Sequence, residues 1–259
     1  MVPSIRRRLR GIHETSRSAF ANGSWHVTVR LKGDPAMRPA SLVLLIALFV
    51  PFRASHGQTE VHPQTSGAAG TILFQDDFSK PANGWTVAKT DYAEFGYSDG
   101  EYRIHLVKPD FNTYSILPRQ KFDNVSVEVD ARLVSGPANG VFGILCRAEA
   151  NESNASKAYI FAIRADGVFA ILKRTSPTFW DAIASGRGSK AIKPGNSTNR
   201  LRADCSSGKL TFYVNGEKVL ETTDNSFSGG LVGLAVTTQP KSEPMDVRFD
   251  NFAVRAIAP

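Results

Sequence analysis

The sequence predicts an all-β domain in which antiparallel strands form a sandwich or a barrel. Three observations lead to this fold class. Apolar and polar residues alternate along most of the chain after residue 71, the alternating segments are bounded by glycine, proline, asparagine and aspartate, and no segment of useful length repeats its apolar residues with a helical period. We expect about eleven to thirteen short strands. Many short antiparallel strands in one domain indicate two packed sheets or a closed barrel.

The segment from 124 to 134, NVSVEVDARLV, shows the alternation most clearly. Side chains two positions apart lie on the same face of a strand. One face of this segment is therefore apolar and is predicted to face the core: Val125, Val127, Val129, Ala131 and Leu133. The opposite face is polar: Ser126, Glu128, Asp130 and Arg132.

Two dipeptides predict hairpin turns. Asn215-Gly216 interrupts the alternating stretch LTFYVNGEKVLETTD, and Asp166-Gly167 interrupts RADGVFA. Asparagine, aspartate and glycine tolerate the positive φ values that a type I′ turn requires. Each dipeptide is therefore expected to join two neighbouring antiparallel strands.

Residues 1–57 are predicted to be a leader that contains a secretory signal peptide. The run PASLVLLIALFVPF at 39–52 has an uninterrupted apolar core of about ten residues, whereas a membrane-spanning helix needs roughly twenty. A basic residue precedes the run, and the small residues Ser55 and Gly57 follow it, as at a cleavage point. Met37 would then be the true start. A long amino-terminal region or an uncleaved anchor is the alternative.

Residues 58–70, QTEVHPQTSGAAG, are small and polar without an apolar period, and are predicted to be a linker. The remaining span, 71–257, has the length of one domain with a full core. We expect no membrane-spanning segment in the mature chain, and export to the periplasm or the medium.

Basic residues concentrate in the leader. The chain carries 31 Lys and Arg against 24 Asp and Glu, a net charge of +7. Nine basic and two acidic residues precede residue 58, so the remainder carries 22 of each sign. A mature chain near neutrality has no net positive field to attract phosphate, which argues against a nucleic-acid partner.

Cys146 and Cys205 are the two cysteines, and both fall within predicted strands. An even count in an exported protein favours one disulfide over two buried free thiols. A metal site at these thiols is poorly supported, because no histidine lies close to either of them in the sequence.

Several segments together resemble the concanavalin A-like (laminin-G-like) jelly-roll domains of exported bacterial proteins: FQDDFSKPANGW, GILCRAE followed by AYIFAIRADGVFAILKR, NRLRADCSSGKLTFYVNGEKV, GGLVGLAV and VRFDNFAV. The similarity covers nearly all of 71–257, in order. It implies a sandwich of two antiparallel sheets, a structural role for the FYVNG hairpin, and a disulfide that joins Cys146 and Cys205 from neighbouring strands. It does not specify a function, since this fold carries lectins, glycan-binding modules, hydrolases and interaction domains.

The likeness to family 16 glycoside hydrolases, which share this fold, fails at the catalytic strand. Those enzymes carry Glu-x-Asp-x-(x)-Glu, and their chemistry needs two carboxyl groups about 5–5.5 Å apart. Here EVDARL supplies Glu128 and Asp130, but Arg132 and Leu133 occupy the two positions allowed for the second glutamate. We expect Arg132 to pair with the carboxylates and lower their pKa, which disfavours a general acid. This strand face is interpreted as a solvated surface with cross-strand ion pairs.

The 3-keto-disaccharide hydrolase domains also resemble this fold, but at the level of the fold and without a run that assigns residues. His105 is the one histidine of the predicted domain and is interpreted as structural. Catalytic activity therefore stays open, and a non-catalytic role is favoured.

The resemblance places the usual glycan site of jelly-roll domains on a concave sheet face. Sugar binding needs an aromatic ring against the apolar side of the sugar and polar groups for its hydroxyls. In the loop-like segment SPTFWDAIASG, Trp180 beside Phe179 is the expected platform. Its expected polar partners come from predicted strands: Arg147, Glu128, Asp130 and Tyr159. In the alternative interpretation, Trp180 packs over a sheet edge.

Calcium is the one cofactor that we consider. In the resembling domains the first and last strands run side by side, which would bring Asp76 and Asp77 close to Asp250 and Asn251. Calcium takes six to eight oxygen ligands, often from aspartate and backbone carbonyls. Asp77 and Asp250 are the expected ligands; turn and capping roles are the alternative.

Three functional hypotheses follow. The first is an exported non-catalytic binding module for a glycan or a cell-surface polysaccharide. The second is a sugar-active hydrolase, and the third is a structural or protein-interaction domain.

Overall fold

The computed structural model describes residues 16–21, 24–29, 64–65, 69–81, 83–118, 120–151, 154–176 and 179–259. Within these residues the regular secondary structure consists of strands, with no helix. The strands are β1 Ser16–Ala21, β2 Ser24–Val29, β3 Gln64–Thr65, β4 Ile72–Asp76, β5 Ala88–Lys89, β6 Ala93–Ser98, β7 Glu101–Leu106, β8 Asn112–Ile116, β9 Lys121–Phe122, β10 Val125–Ser135, β11 Val141–Asn151, β12 Asn154–Arg164, β13 Val168–Ser176, β14 Phe179–Arg187, β15 Asn199–Ser206, β16 Lys209–Val214, β17 Glu217–Thr223, β18 Leu231–Thr237 and β19 Met245–Ala256.

Two large antiparallel sheets make up the domain. The nine-stranded sheet has the order β17-β16-β15-β10-β19-β7-β6-β5, and β4 pairs with the carboxyl-terminal part of β19. The six-stranded sheet has the order β14-β13-β12-β11-β18-β8. The two sheets pack against each other through one shared apolar core. This arrangement confirms the predicted all-β, concanavalin A-like jelly-roll sandwich.

The inward-facing side chains of both sheets form the core. Val125, Val127 and Val129 of β10 are at most 1% exposed, as the alternation predicts. Phe161 of β12 and Phe212 of β16 come from opposite sheets, and their ring centroids are 5.8 Å apart in an edge-on contact. Packed sheets stand about 10 Å apart. Large rings from both sides fill this gap, and each buried ring contributes about 2 kcal/mol.

Both predicted hairpins are present. Asn215 and Gly216 have φ values of 50° and 86°, and Gly167 has a φ of 86°. The Asn215 side chain also donates to the carbonyl oxygen of Ala191 at 2.7 Å and accepts from the backbone N–H of Arg200 at 2.9 Å. The β16–β17 turn is thus anchored to neighbouring chain segments, in agreement with a structural role.

The expected disulfide joins Cys146 to Cys205. The expectation that the two cysteines lie in neighbouring strands is wrong. Cys146 belongs to β11 of the six-stranded sheet, whereas Cys205 belongs to β15 of the nine-stranded sheet. Both side chains point inward and are fully buried, so the bond ties the two sheets together across the core.

The outward face of the nine-stranded sheet is charged, as predicted for β10. The partners in its ion pairs differ from those expected. Arg200 of β15 contacts Glu128 at 2.8 Å and Asp130 at 3.5 Å. Arg132 does not pair with these carboxylates; it donates twice to Glu101 of β7, at 2.9 and 2.6 Å. The expectation for Arg132 is wrong because the sheet order, which the sequence does not show, brings in partners from β7 and β15.

The predicted signal peptide, the start at Met37 and most of the predicted linker lie outside the described residues. Two linker residues, Gln64–Thr65, form β3 and pair with β9. In the part of the chain that the structure describes, we find no helix of sufficient length and apolarity to cross a membrane.

Candidate functional site

The six-stranded sheet has a second apolar surface on the side that points away from the core. Successive residues of β12 and β13 alternate between the two sides: Phe161 and Ile171 join the core, whereas Ile160, Ala162 and Leu172 join the outer surface. We call this outer surface the concave face. Its buried apolar residues in the full-length chain are Val141, Leu145, Ala148, Ala155, Ala158, Ile160, Ala162, Ala170, Leu172, Trp180 and Ala235.

The sheet curves strongly across its strands. Cα atoms of β12 and β8 approach within 8 Å although β11 and β18 lie between them, whereas three strand spacings in a flat sheet amount to about 14 Å. Gly143 and Gly233 lie on the concave face, and each closely approaches the backbone of a neighbouring strand. A Cβ atom on Gly143 would be 2.8 Å from Cα of Ala162, and one on Gly233 would be 2.9 Å from Cα of Ile116. The curvature therefore requires glycine at both positions.

Arg174 and Tyr114 meet across the concave face. Nη1 of Arg174 donates to the hydroxyl of Tyr114 at 2.8 Å, and Nε donates to the carbonyl oxygen of Ala155 at 2.6 Å. The guanidinium also lies over the Tyr114 ring, with Cζ 5.1 Å from the ring centroid, a cation–π contact. β13 and β8 are four places apart in the sheet. The curvature brings the two side chains together.

Burial shifts the pKa of both groups. Desolvation raises the pKa of Tyr114 to about 12, against the opposing effect of the Arg174 charge. Tyr114 is therefore protonated at neutral pH. Desolvation lowers the pKa of Arg174, which Tyr114 opposes, and the guanidinium stays charged because its ordinary pKa is far above neutrality. A positive charge and a neutral phenol thus lie within an apolar surface.

Trp180 also belongs to the concave face. It lies in the edge strand β14, directly opposite Arg174, and is 8% exposed. The expected loop at SPTFWDAIASG is wrong, because residues from Phe179 to Arg187 pair with β13 as a strand. The sequence signal was weak because this segment is rich in alanine, serine and glycine, which have low strand propensity. The alternative, in which Trp180 packs over a sheet edge, matches its position.

Arg147 and Tyr159 come together, but away from the concave face. Tyr159 points to the core side of β12, and its hydroxyl donates to the Asp224 carboxylate at 2.6 Å. Arg147 occupies an irregular position of β11 with a φ of 53° and is 2% exposed. Its Nη1 donates to the carbonyl oxygen of Phe227 at 2.7 Å. Both side chains thus hold the connection between β17 and β18.

Asp224 is the centre of this attachment. Lys173 donates to its second carboxylate oxygen at 2.8 Å. Burial alone would raise the pKa of Asp224, but hydrogen bonds from Lys173, Tyr159 and Ser226 lower it below its ordinary value. The cluster is therefore explained as a buried anchor for a connecting segment.

Glu128 and Asp130 lie on the outward face of the nine-stranded sheet, and Trp180 lies on the outward face of the other sheet. The five predicted ligand residues therefore occupy three separate places and do not form one site. The sequence could not show this, because strands that are alike in pattern belong to different sheets.

Asp77 and Asp250 are close, since β4 and β19 pair as expected. Asp77 accepts hydrogen bonds from the N–H and hydroxyl of Ser79 at 3.0 and 2.7 Å, and Asp250 accepts from the N–H of Asn251 at 2.7 Å. Burial, with a contribution from nearby carboxylates, raises the pKa of Asp250. Among the described residues, no group of three or more acidic, histidine or cysteine side chains is arranged to hold a metal. Calcium stays a prediction.

Sequence reasoning assigned no role to Tyr114 or to Arg174. A signal for the concave face was present in YIFAI at 159–163 and VFAIL at 168–172, where both alternating positions are apolar. Uninterrupted apolar runs of this length indicate strands that are covered on both faces. Arg174 is the second residue after the run that ends at Leu172, and its even position along the strand places it on the outer side with Ala170 and Leu172.

The fold and the concave face define a concanavalin A-like jelly-roll protein. Residues 70–255 match the sequence model of the 3-keto-alpha-glucoside-1,2-lyase-like domain, and the chain belongs to this family. No curated protein matches the chain.

Solved structures share the fold at low identity. A Bacillus subtilis protein of unknown function with a galectin-like fold is 15% identical with a TM-score of 0.57, over 72% of this chain and 96% of that one. The catalytic domain of an endo-1,3-beta-glucanase (laminarinase) from Thermotoga petrophila is 7% identical with a TM-score of 0.51, over 73% and 99%. A Bacillus licheniformis beta-glucanase is 12% identical with a TM-score of 0.51, over 71% and 97%.

Proposed function

We propose that this chain is an exported carbohydrate-binding protein and that its sugar-binding surface is the concave face. The observation that carries the proposal is the combination, on one curved sheet face, of an apolar floor with Trp180, Tyr114 and the charged Arg174. Membership of a family named for a glucoside substrate supports the same class of ligand.

The chemistry of the face suits a sugar. A pyranose ring presents C–H groups on one side, which pack on aromatic and aliphatic surface, and hydroxyls at its edge, which need hydrogen-bonding partners. Trp180 and the apolar floor supply the first kind of contact. The Tyr114 hydroxyl accepts from Arg174 and keeps its own proton to donate. It supplies a hydrogen bond in a desolvated setting, where such a bond discriminates more strongly between ligands than it does in water.

A second candidate function is a lyase reaction on a 3-keto-glucoside, which the family name favours. Elimination across C1 and C2 requires a base that removes the C2 proton, which the neighbouring ketone makes acidic. Tyr114, with its pKa raised to about 12, is protonated at neutral pH and suits hydrogen-bond donation better than proton removal. Binding is the leading proposal and lyase activity the alternative.

Export is part of the proposal. The disulfide between Cys146 and Cys205 is compatible with an oxidising compartment, and the predicted signal peptide supplies a route to it. A surface or periplasmic location would also give the concave face access to polysaccharides outside the cell.

The experiment is a glycan-array screen of the full chain secreted with its own leader, with and without calcium. The wild type is compared with Trp180→Ala and with Tyr213→Ala, which removes an aromatic ring under Arg202 on the outward face of the nine-stranded sheet. We expect saturable binding that Trp180→Ala abolishes and Tyr213→Ala leaves unchanged, with folding verified by thermal melting. Equal binding by all three proteins, or no binding to any glycan, would refute the proposed site.

Lyase activity is tested in the same preparation with a 3-keto-glucoside. Release of the aglycone by the wild type, and its loss in Trp180→Ala, would establish the alternative function. Calcium-dependent binding would support Asp77 and Asp250 as ligands.

A further inference from the structure

A cleft lies on the outward face of the nine-stranded sheet, at the edge where the short strand β5 ends. It is separate from the concave face and has a volume of about 630 Å³, which is within the range of small-molecule sites. Its lining is mostly polar, with one strongly exposed apolar side chain, and includes Lys89, Glu94, Arg103, Arg248 and Val87. The proposed sugar site does not use these residues.

Gly96 forms the floor of the cleft. It lies opposite Arg103 of β7, and Arg103 lies opposite Arg248 of β19, so the three residues form one row across the sheet. Residues directly opposite each other in antiparallel strands share a face. A Cβ atom on Gly96 would meet nothing within 4 Å. The row therefore combines two arginine side chains with open space beside them for a ligand.

One carboxylate holds both guanidinium groups in place. Oδ2 of Asp246 accepts from Nε of Arg103 at 2.7 Å, and Oδ1 accepts from Nε of Arg248 at 3.2 Å. Asp246 is buried, at 8% exposure. Arg103 also donates from Nη1 to Glu94 at 3.1 Å. Arg248 donates from Nη1 to the carbonyl oxygen of Ser98 at 3.1 Å. Both arginines are thus oriented before a ligand binds.

Each guanidinium keeps donors for a further partner. The Nη2 groups of Arg103 and Arg248 have no hydrogen-bond partner among the described residues, and neither atom is buried. Asp246 already demonstrates that the two oxygens of one carboxylate reach both side chains. A second carboxylate, on the solvent side, would meet the remaining N–H groups of the same pair.

Positive charges outnumber negative charges around the cleft. Lys89, Arg103 and Arg248 carry three positive charges. Glu94 and Asp246 carry two negative charges and are already engaged, Glu94 by Lys89 at 2.5 Å and by Arg103, and Asp246 by both arginines. The excess of one positive charge favours a ligand group with a single negative charge.

Two further carboxylates near Arg248 do not remove this excess. Glu101 is 3.9 Å from Arg248, but it accepts two hydrogen bonds from Arg132, at 2.9 and 2.6 Å. Asp99 is 3.7 Å from Nη1 of Arg248, but its side chain is 85% exposed. Exposed ion pairs contribute little. Asp99 therefore competes only weakly with a ligand for Arg248.

We propose that this cleft binds a small molecule through a carboxylate group, with Arg103 and Arg248 as joint partners. The inference does not depend on the proposed function. Charge-assisted hydrogen bonds from arginine to a carboxylate are stronger and more directional than those to a hydroxyl. The exposed Val87 supplies apolar surface for the rest of the ligand. Because both arginines are partly exposed, the affinity is roughly millimolar and decreases with salt.

The test is an NMR titration of the isotope-labelled, secreted full chain, followed at the backbone amides of β6. The carboxylate probes are acetate, which is the bare group, and glucuronate, in which a sugar carries it. Glucose is the neutral comparison and inorganic phosphate the tetrahedral anion, and all are measured at equal ionic strength.

Four variants are compared with the wild type. Gly96→Leu fills the cleft without removing a charge, Arg103→Gln removes one of the paired donors, and Asp99→Asn removes the competing carboxylate. The control is Arg202→Gln, whose arginine stacks on Tyr213 of β16, away from the cleft. Thermal melting verifies that each variant folds.

We expect saturable shifts with both carboxylates, weaker binding of phosphate and no binding of glucose. Gly96→Leu and Arg103→Gln should each raise the Kd for carboxylate by about tenfold. Asp99→Asn should lower it by about twofold, the scale of one exposed ion pair, and Arg202→Gln should leave it unchanged. If Arg103→Gln does not fold, the other variants still decide the question.

Binding of acetate and glucuronate with equal affinity would support the site and identify the carboxylate group itself as the ligand. Tighter binding of glucuronate would support it and identify an acidic sugar. The inference would be overturned by absence of carboxylate binding, by equal shifts with glucose, by tighter binding of phosphate, or by binding that Gly96→Leu leaves unchanged.

Discussion

The curvature of the six-stranded sheet is the structural basis of the site, and Gly143→Ala tests it directly. The added methyl group would lie 2.8 Å from Cα of Ala162 and still closer to the carbonyl oxygen of Phe161, both of them backbone atoms that no rotamer change can move. Overpacking against fixed atoms costs about 1–3 kcal/mol. For a domain of this size, 2 kcal/mol corresponds to a decrease in Tm of about 4–8 °C.

The matched control is Gly96→Ala in β6, where a Cβ atom has nothing within 4 Å. Alanine there should be neutral or stabilise the fold by about 0.5–1 kcal/mol, because it reduces the conformational entropy of the unfolded chain. Both variants are compared with the wild type by urea unfolding, followed by tryptophan fluorescence. Equal midpoints for Gly143→Ala and Gly96→Ala would refute the close approach of β11 and β12.

Three further predictions concern stability and processing. Replacing Cys146 and Cys205 by alanine opens a span of 59 residues and should cost about 4 kcal/mol by the loop-entropy relation, seen as a lower urea midpoint; an unchanged midpoint would contradict the inter-sheet bond. Asp224→Asn removes the carboxylate that accepts from Lys173 and should cost about 2 kcal/mol at pH 7. Folding lowers the pKa of Asp224, so its stabilisation is complete above the unfolded pKa of about 3.9 and is lost as pH falls through the folded pKa. The difference in unfolding free energy between the wild type and Asp224→Asn should therefore shrink in acid. A difference that stays constant with pH would refute the assignment. The intact mass of the secreted protein should correspond to cleavage near Gly57, and a mass that retains 39–52 would disprove the predicted signal peptide.

The fold was predictable because its determinants are local. The alternation in β10 specified which valines enter the core, and the dipeptides at Asp166 and Asn215 specified two hairpins. The sheet to which each strand belongs is a non-local property. The prediction that Cys146 bonds to Cys205 is confirmed. The prediction that they lie in neighbouring strands is wrong, because the bond joins strands of two facing sheets.

The site was less predictable for the same reason. Glu128 and Trp180 have the right chemistry for sugar binding, but they lie on opposite outer faces of the sandwich. Arg174 and Tyr114 are 60 positions apart in sequence and meet through the curvature of a sheet, which no local pattern encodes. Contacts that depend on sheet order and curvature can be identified only from the structure.

The position of a bound glycan is the most direct test of the central claim. The measurement is a crystal structure of the secreted protein with an oligosaccharide selected by the array. The account predicts density for the sugar over β12 and β13, with contacts to Trp180 and Arg174. Density over the charged outward face of the nine-stranded sheet, near Glu128 and Arg200, would contradict it.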